Sequence, residues 1–555
     1  MAMQKVKRTV RLALLCGLLA LSACHADLDD AKGQAEELDD PVRREHAIGR
    51  LQAIYSKALA DAKGDRENPA VKEVVDVSVD QLVKTYIENP ENIVNGTRVL
   101  GLLQEMRDPR ALPALVKALE WKTEVSEDHA VIAARTLTEI EVPAGEQGNV
   151  VKAICDALER VEDGRGLDNR MRKGFIEALG KLGDKGATDT LVKIALNTGG
   201  KQDFLFNILA AQQLVELADP KAVPAMIKGL FLAPPENPAM RMNDVAASAL
   251  VAIGKPSLQP LLDTLAGKNE EANQTVKMYI EAIRQKDANM ARDLDARVII
   301  SGEATYALGK LGFPEALDPL IAETEVDNKD RRFAAALALP GINRTKADTK
   351  RVVGAMTAVY KDTEKQQRPQ LLVAIRHLYA DEAMPLLYDV AKTTETELPP
   401  VQMYGYVSYA MLANKQESTR LRPIFDKEEM LQPNLKDMDA AIKAAGECDT
   451  KVDCWVGKLS DSDKIVLRKA ANMLARYARG NKEAIAGLVK LFGHSDLEVR
   501  NEALYAVDYM ATDGSKAAVE KIEELEAVEG GRSSWNNFKR EALPARSRLL
   551  LRAGS

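Results

Sequence analysis

GFIEALGKLGDKGATDTLVKIAL at residues 174–196 and DFLFNILAAQQLVELADPKAVPAMIKGLF at 203–231 are one helix-turn-helix unit written twice. In the first copy Phe175, Ala178, Leu179 and Leu182 recur at i, i+3, i+4 and i+7, which lines one face of a helix. Gly183 stops it, Asp184 to Ala187 turn the chain, and Ala187, Leu191 and Ile194 start the apolar stripe of a second helix. The second copy repeats this with Ala210, Leu214 and Leu217, a turn at Ala218-Asp219-Pro220, then Ala222, Val223, Met226, Ile227 and Leu230. Ala187 and Ala222 are 35 residues apart. A helix pair of this size cannot bury its apolar face alone, so it needs similar pairs on either side.

The same turn can be followed along the chain. Asp108-Pro109-Arg110-Ala111-Leu112 opens a second helix 76 residues before Ala187, two units of 38. Ser257, in Gly254-Lys255-Pro256-Ser257-Leu258, lies 35 beyond Ala222, and Ala316 lies 59 beyond Ser257, an insertion of about twenty residues relative to its neighbours. Ala383 continues the series, and near the end Ala484 and Ala517 are 33 apart. Aromatic residues are only 5% of the chain and no stretch alternates β-branched residues with period 2, so the expected class is all-α.

These units resemble HEAT repeats, in particular the short kind related to those of phycobilisome lyases. The resemblance is clearest at Asp496-Leu497-Glu498-Val499-Arg500 with Ala503 and Leu504, and weaker at Val466-Leu467-Arg468 with Ala471. It implies a right-handed α-solenoid of stacked helix pairs over residues 41–528, irregular at 60–100, 266–298 and 395–460. It also implies that Asp496 and Arg500 hydrogen-bond between adjacent repeats, and that second helices form a concave face on which protein or peptide partners dock. Deoxyhypusine hydroxylase is built of similar repeats and holds iron with His-Glu pairs, whereas no histidine here is followed by glutamate and Glu45-His46 is reversed. Phycobilin-lyase-like catalysis stays open, because the repeats themselves are the resemblance.

Upstream of the repeats, residues 1–23 combine Lys5, Lys7, Arg8 and Arg11 with the apolar run Leu12 to Leu21, ten residues and about half of a membrane span. They read as a signal peptide. Leu21-Ser22-Ala23-Cys24 resembles the bacterial lipobox, which implies cleavage before Cys24 and acylation of its sulfur. His25, in place of aspartate, implies sorting to the outer membrane, so the expected location is the cell envelope, facing the periplasm. Cleavage removes four cations and no carboxylate and takes the net charge from −7 to −11, an acidic balance that argues against nucleic acid. Residues 24–40, rich in carboxylates, read as a solvated tether between lipid and solenoid.

In an oxidising compartment Cys448 and Cys454 are candidate disulfide partners, with Asp449-Thr450-Lys451 as the turn between them; two reduced thiols or a metal site lacking its other ligands are the alternatives. Cys155 sits on an apolar stripe as a buried thiol. The five histidines, His25, His46, His129, His377 and His494, fall in no metal or triad spacing, and HExxH, GxSxG, GxGxxG and GxxxxGK[ST] are absent. No catalytic residue, metal or cofactor is therefore expected. Two stiff loops, Ala233 to Pro238 and Leu398-Pro399-Pro400, mark interruptions, and the latter leads into Tyr404, Tyr406 and Tyr409 as candidate partner-binding residues. Tyr406 and Tyr409, at i and i+3, also fit a core face. The charged segment 266–298, with Val276, Ile280 and Ile283 on one stripe, is either a longer repeat helix or a projecting arm. Residues 529–555, holding Arg532, Lys539, Arg540, Arg546, Arg548 and Arg552, are expected to cap the last repeat with a polar outer face.

Overall fold

The computed structural model describes residues 30–554 except 90–91, 122–128, 162–165, 200, 235–236, 238–239, 288, 290, 343–344, 393–396 and 426–431. Cys24, His25 and the signal segment, and three of the six residues 233–238, lie outside it. The described residues form helices and turns with no strand, and no helix among them is long and apolar enough to cross a membrane.

The repeat turn is one recurrent piece of backbone. Ala111, Ala187, Ala222, Ser257, Ala316 and Ala383 each end a three-residue 3-10 turn, and each is fully buried. A small residue is required because the second helix starts there against its own first helix. Asp108, Asp184 and Asp219 cap the turn by accepting the backbone N–H of Arg110, Gly186 and Lys221 at 2.9, 2.7 and 3.2 Å. Just before each turn the backbone enters the left-handed region, at Arg107, Gly183, Ala218, Gly254, Gly312 and Tyr379. Near the C-terminus the equivalent of Ala484 is Ala518, not Ala517. Asn481 and Ser515 accept the N–H of Ala484 and Ala518, which are both buried, whereas Ala517 is exposed.

The chain divides into two compact units, residues up to 191 with 199–209, and residues 192–198 with 210 onward. In the first, successive helices such as Pro69–Glu88, Ile93–Met106, His129–Glu139 and Gly166–Leu182 pack on their neighbours in order. Of the acidic stretch 24–40, residues 24–29 lie outside the described residues, and residues 30–40 are not a solvated tether. Ala31–Glu36 is a helix capped by Asp30, and Gln34, Ala35 and Leu38 are buried against the helices Arg44–Asp61 and Pro69–Glu88. The apolar positions hidden among its carboxylates are what the charge count concealed.

The second unit runs through first helices Asn243–Ile253, Ala296–Leu311, Lys329–Ala338, Arg368–Arg376, Pro399–Leu412, Lys464–Tyr477 and Leu497–Met510, each packed on the next. The insertion in 266–298 is an additional helix, Glu270–Lys286, which buries Ala272, Val276, Ile280 and Ile283 and packs on Ala296–Leu311 rather than projecting. Leu398 caps, and Pro399 and Pro400 open, a helix, because proline is tolerated in the first turn where its missing N–H has no partner to lose. The last helix, Ser533–Ala553, packs both on Leu497–Met510 and on Asn243–Ile253, so the end of this unit is joined to its beginning.

Candidate functional site

That last helix decides where the charged residues of the C-terminus go. Arg540 reaches Asp244 (2.9 Å) and Arg546 reaches Glu216 (3.1 Å), at the start of the unit. Lys310 pairs with Glu541, and Arg548 and Arg552 both bind Asp508, at 2.6 and 3.1 Å. Arg548 also donates to the Lys310 carbonyl, and Arg552 to the Asp508 carbonyl at 2.6 Å. Burial by itself would raise the Asp508 carboxyl, but the two guanidiniums outweigh it and hold the group below the usual carboxylate range; Lys310 does the same for Glu541. Arg546, Arg548 and Arg552 thus face inward, and the expected polar outer face is not what these residues form. A Cβ at Gly514 would lie 2.4 Å from the Leu549 carbonyl, so the helix approaches the chain there as closely as glycine permits.

Beneath this helix is a cavity of about 480 Å³, within the range of small-molecule sites. One wall is made of small and apolar groups: Gly302, Gly309, Ala334, Ala338, Gly341 and Ala374. Gly309 and Gly341 are fixed by contact, because a Cβ on Gly341 would stand 2.2 Å from the Gly309 carbonyl. Aromatic groups line the cavity as well. His377 lies 4.8 Å from the Tyr505 ring, and Tyr379 lies 4.9 Å from the Tyr509 ring, over which Arg479 is placed at 4.8 Å. Tyr306 completes the lining and donates to Asp244 at 2.7 Å.

His377 is set by Glu502, whose carboxylate it meets at 3.3 Å and which also takes Arg376 and the Asn472 amide (3.0 Å). Burial lowers the His377 imidazole below its ordinary value, more than Glu502 raises it, so the neutral ring is favoured. Burial opposes ionisation of Glu502, but Arg376 and His377 hold it ionised well below the usual range. First helices supply most of the groups around this cavity.

The residues singled out in the sequence lie elsewhere. Cys448 and Cys454 are joined in a disulfide across the 449–451 turn, and Cys155 is a half-buried free thiol. Tyr404 is 39% exposed, but Tyr406 and Tyr409 are 0% and 1% exposed, so as partner-binding residues they are corrected to core; their i, i+3 spacing turns both inward. Burial also pushes the Tyr409 hydroxyl up to about 12. Asp496 caps its own helix through Glu498 N–H and pairs with Lys464 (3.1 Å), while Arg500 pairs with Glu529 (2.9 Å) and lies over the Phe538 ring. Both residues reach neighbouring helix pairs. His129 is held by Tyr86, Thr97 and the Ile93 carbonyl in the first unit. Lys469 is fully buried, donates to the Ala410 and Ala413 carbonyls, and is shifted well down by burial. Among the described residues no group of three or more His, Cys, Asp or Glu is placed to hold a metal. The cavity was missed because its residues come from helices up to 250 positions apart; only Tyr505 and Tyr509, one turn apart beside Asp508, and Arg548 and Arg552, one turn apart, left a local trace.

Residues 302–323, which contain the Ala316 turn, match the family model of the PBS lyase HEAT-like repeat. This segment carries a HEAT-type repeat. No curated protein matches the chain. Among solved structures it is similar to Kap95p in a structure describing its binding to RanGDP (12% identity, 98% of this chain and 86% of that one, TM-score 0.37). It is also similar to importin beta (11%, 94% and 74%, TM-score 0.34) and to Kap121p bound to Ste12p (11%, 90% of this chain but about half of that one, 52%, TM-score 0.31).

Proposed function

We propose that this chain is a lipid-anchored, non-catalytic HEAT-repeat scaffold of the cell envelope that binds protein or peptide partners. The repeat architecture carries the reading: helix pairs in sequence offer an extended surface, and the ionisable groups buried between them, such as Arg500 with Glu529 and Asp508 with two arginines, are engaged in holding helices together. The Leu21-Ser22-Ala23-Cys24 motif supports the anchor. A soluble array held at a membrane by its N-terminus docks partners by area, without chemistry.

A second reading, catalysis in the cavity, is favoured by one observation: His377 and Glu502 form a histidine–carboxylate pair in its wall. Cross-linking in the native cell followed by capture of the tagged chain separates the two. One envelope protein in stoichiometric amount supports the scaffold. No partner, together with conversion of a cell metabolite extract by the chain but not by its His377→Gln variant, supports catalysis. Anchoring is tested separately: Cys24→Ala should release the protein from membranes, and continued co-sedimentation would refute it.

A further inference from the structure

We infer that the cavity under the C-terminal helix is a binding site for a small, flat aromatic molecule carrying one carboxylate. Its lining argues for a flat aromatic body: the rings of Tyr306, Tyr505 and Tyr509 stand in a cavity that also offers glycine and alanine surface, with backbone packed on backbone at Gly309 and Gly341. A ring bound there can stack on Tyr505 or Tyr509 and cover apolar surface of the lining. Charge argues for an anion. Arg548 and Arg552 line the cavity and share the single carboxylate of Asp508, while Lys310 is matched by Glu541, and this excess of positive charge close to desolvated space favours a negative guest.

Two further observations mark the site as built for a ligand. Tyr379 is 4% exposed and lines the cavity, and its buried hydroxyl has no hydrogen-bond partner among the described residues, an unmet cost at the edge of the site. The same residue sits at φ +51°, left-handed backbone that a bulky side chain rarely adopts. Ala218 serves the equivalent turn with a small side chain, so the turn itself does not call for a tyrosine. Strain held at a residue facing a cavity is where a recognition role is expected.

The inference is independent of the scaffold reading, since a site for a small molecule neither requires nor excludes a protein partner. Its test is isothermal titration of the full chain with two acid–amine pairs on matched rings, 2-naphthoate against 2-naphthylmethylamine and indole-3-acetate against tryptamine. At least one acid should bind ten or more times more tightly than its amine. Gly302→Phe fills the cavity: a Cβ there meets nothing within 4 Å, so the added ring has the empty space to enter, and the helix loses a glycine. Acid binding should fall at least tenfold while the melting midpoint stays level or rises. Should this variant melt lower, Ala374→Leu fills the same space from another helix and is read the same way. Arg479→Gln, at the exposed edge of the site, should weaken the acid and leave the amine unchanged. Binding of neither acid, equal binding of acid and amine, or full acid affinity in the filled variants overturns the inference.

Discussion

Asp508 is the residue that ties the last helix to the unit by charge, because two arginines of that helix share its carboxylate. Asp508→Asn leaves both guanidiniums buried beside a neutral amide and should cost about 3–5 kcal/mol, read as a shift in the denaturant midpoint; a change under about 1 kcal/mol would mean that the pairs are incidental. Acid should act in the same direction. Asp508, Glu502 and Glu541 are held below the ordinary carboxylate values of 3.8 and 4.5, so their ionisation adds stability that is complete above those values and is lost as pH falls through the lower folded ones. His377 is shifted below its ordinary 6.5, so the unfolded chain takes up its proton first, and stability also declines as pH falls below 6.5. The melting midpoint should decline gently as pH falls below 6.5 and drop steeply below about 4.5; a midpoint level from pH 7 to pH 4 would show these groups unshifted. Ala218, at φ +46° in a turn where glycine serves three of the six equivalent positions, should be improved by Ala218→Gly by about 0.5–1 kcal/mol, measured in the same titration.

The elements most legible in the sequence were the turns, because each needs a buried small residue and a backbone reversal within about five positions, and three of the six add a capping aspartate. Ala111, Ala187, Ala222, Ser257, Ala316 and Ala383 could therefore be found by spacing alone, and the one slip, Ala517 for Ala518, came where an Asn or Ser cap replaced the 3-10 turn. The C-terminal helix was misread for a physical reason. Six cations in a row of about twenty look like a solvated face until their partners are known, and Glu216, Asp244 and Asp508 stand far away in sequence. The signal that something covers the start of the unit lay in Asn243–Ile253, NDVAASALVAI, which has almost no polar face and buries Ala246, Ala247, Ala249, Leu250, Val251 and Ile253. At this scale Gly514→Val is the telling substitution. It places a Cβ against the Leu549 carbonyl and strains a φ of +76°, so it should loosen the last helix, destabilise by about 2 kcal/mol or more, and speed tryptic cleavage at Arg540 and Arg548; unchanged cleavage would show the close approach to be dispensable.

Across the whole molecule, repeat physics and the closure of the second unit make different demands. In a simple array each pair depends on its neighbours, so Leu214→Asp, which buries a charge at a fully enclosed site, should destabilise by several kcal/mol and unfold its own pair first. The second unit adds a constraint that no single repeat specifies: its last helix must hold Asn243–Ile253 and Leu497–Met510 together, and the cavity exists only while it does. The most direct measurement is amide hydrogen exchange by mass spectrometry, comparing the full chain with one ending at Gly531. If the last helix joins the unit's two ends, exchange rises both in Leu497–Met510 and, some 280 residues away from the cut, in Asn243–Ile253. A rise confined to the helices next to the cut, with Asn243–Ile253 as protected as before, would contradict the account.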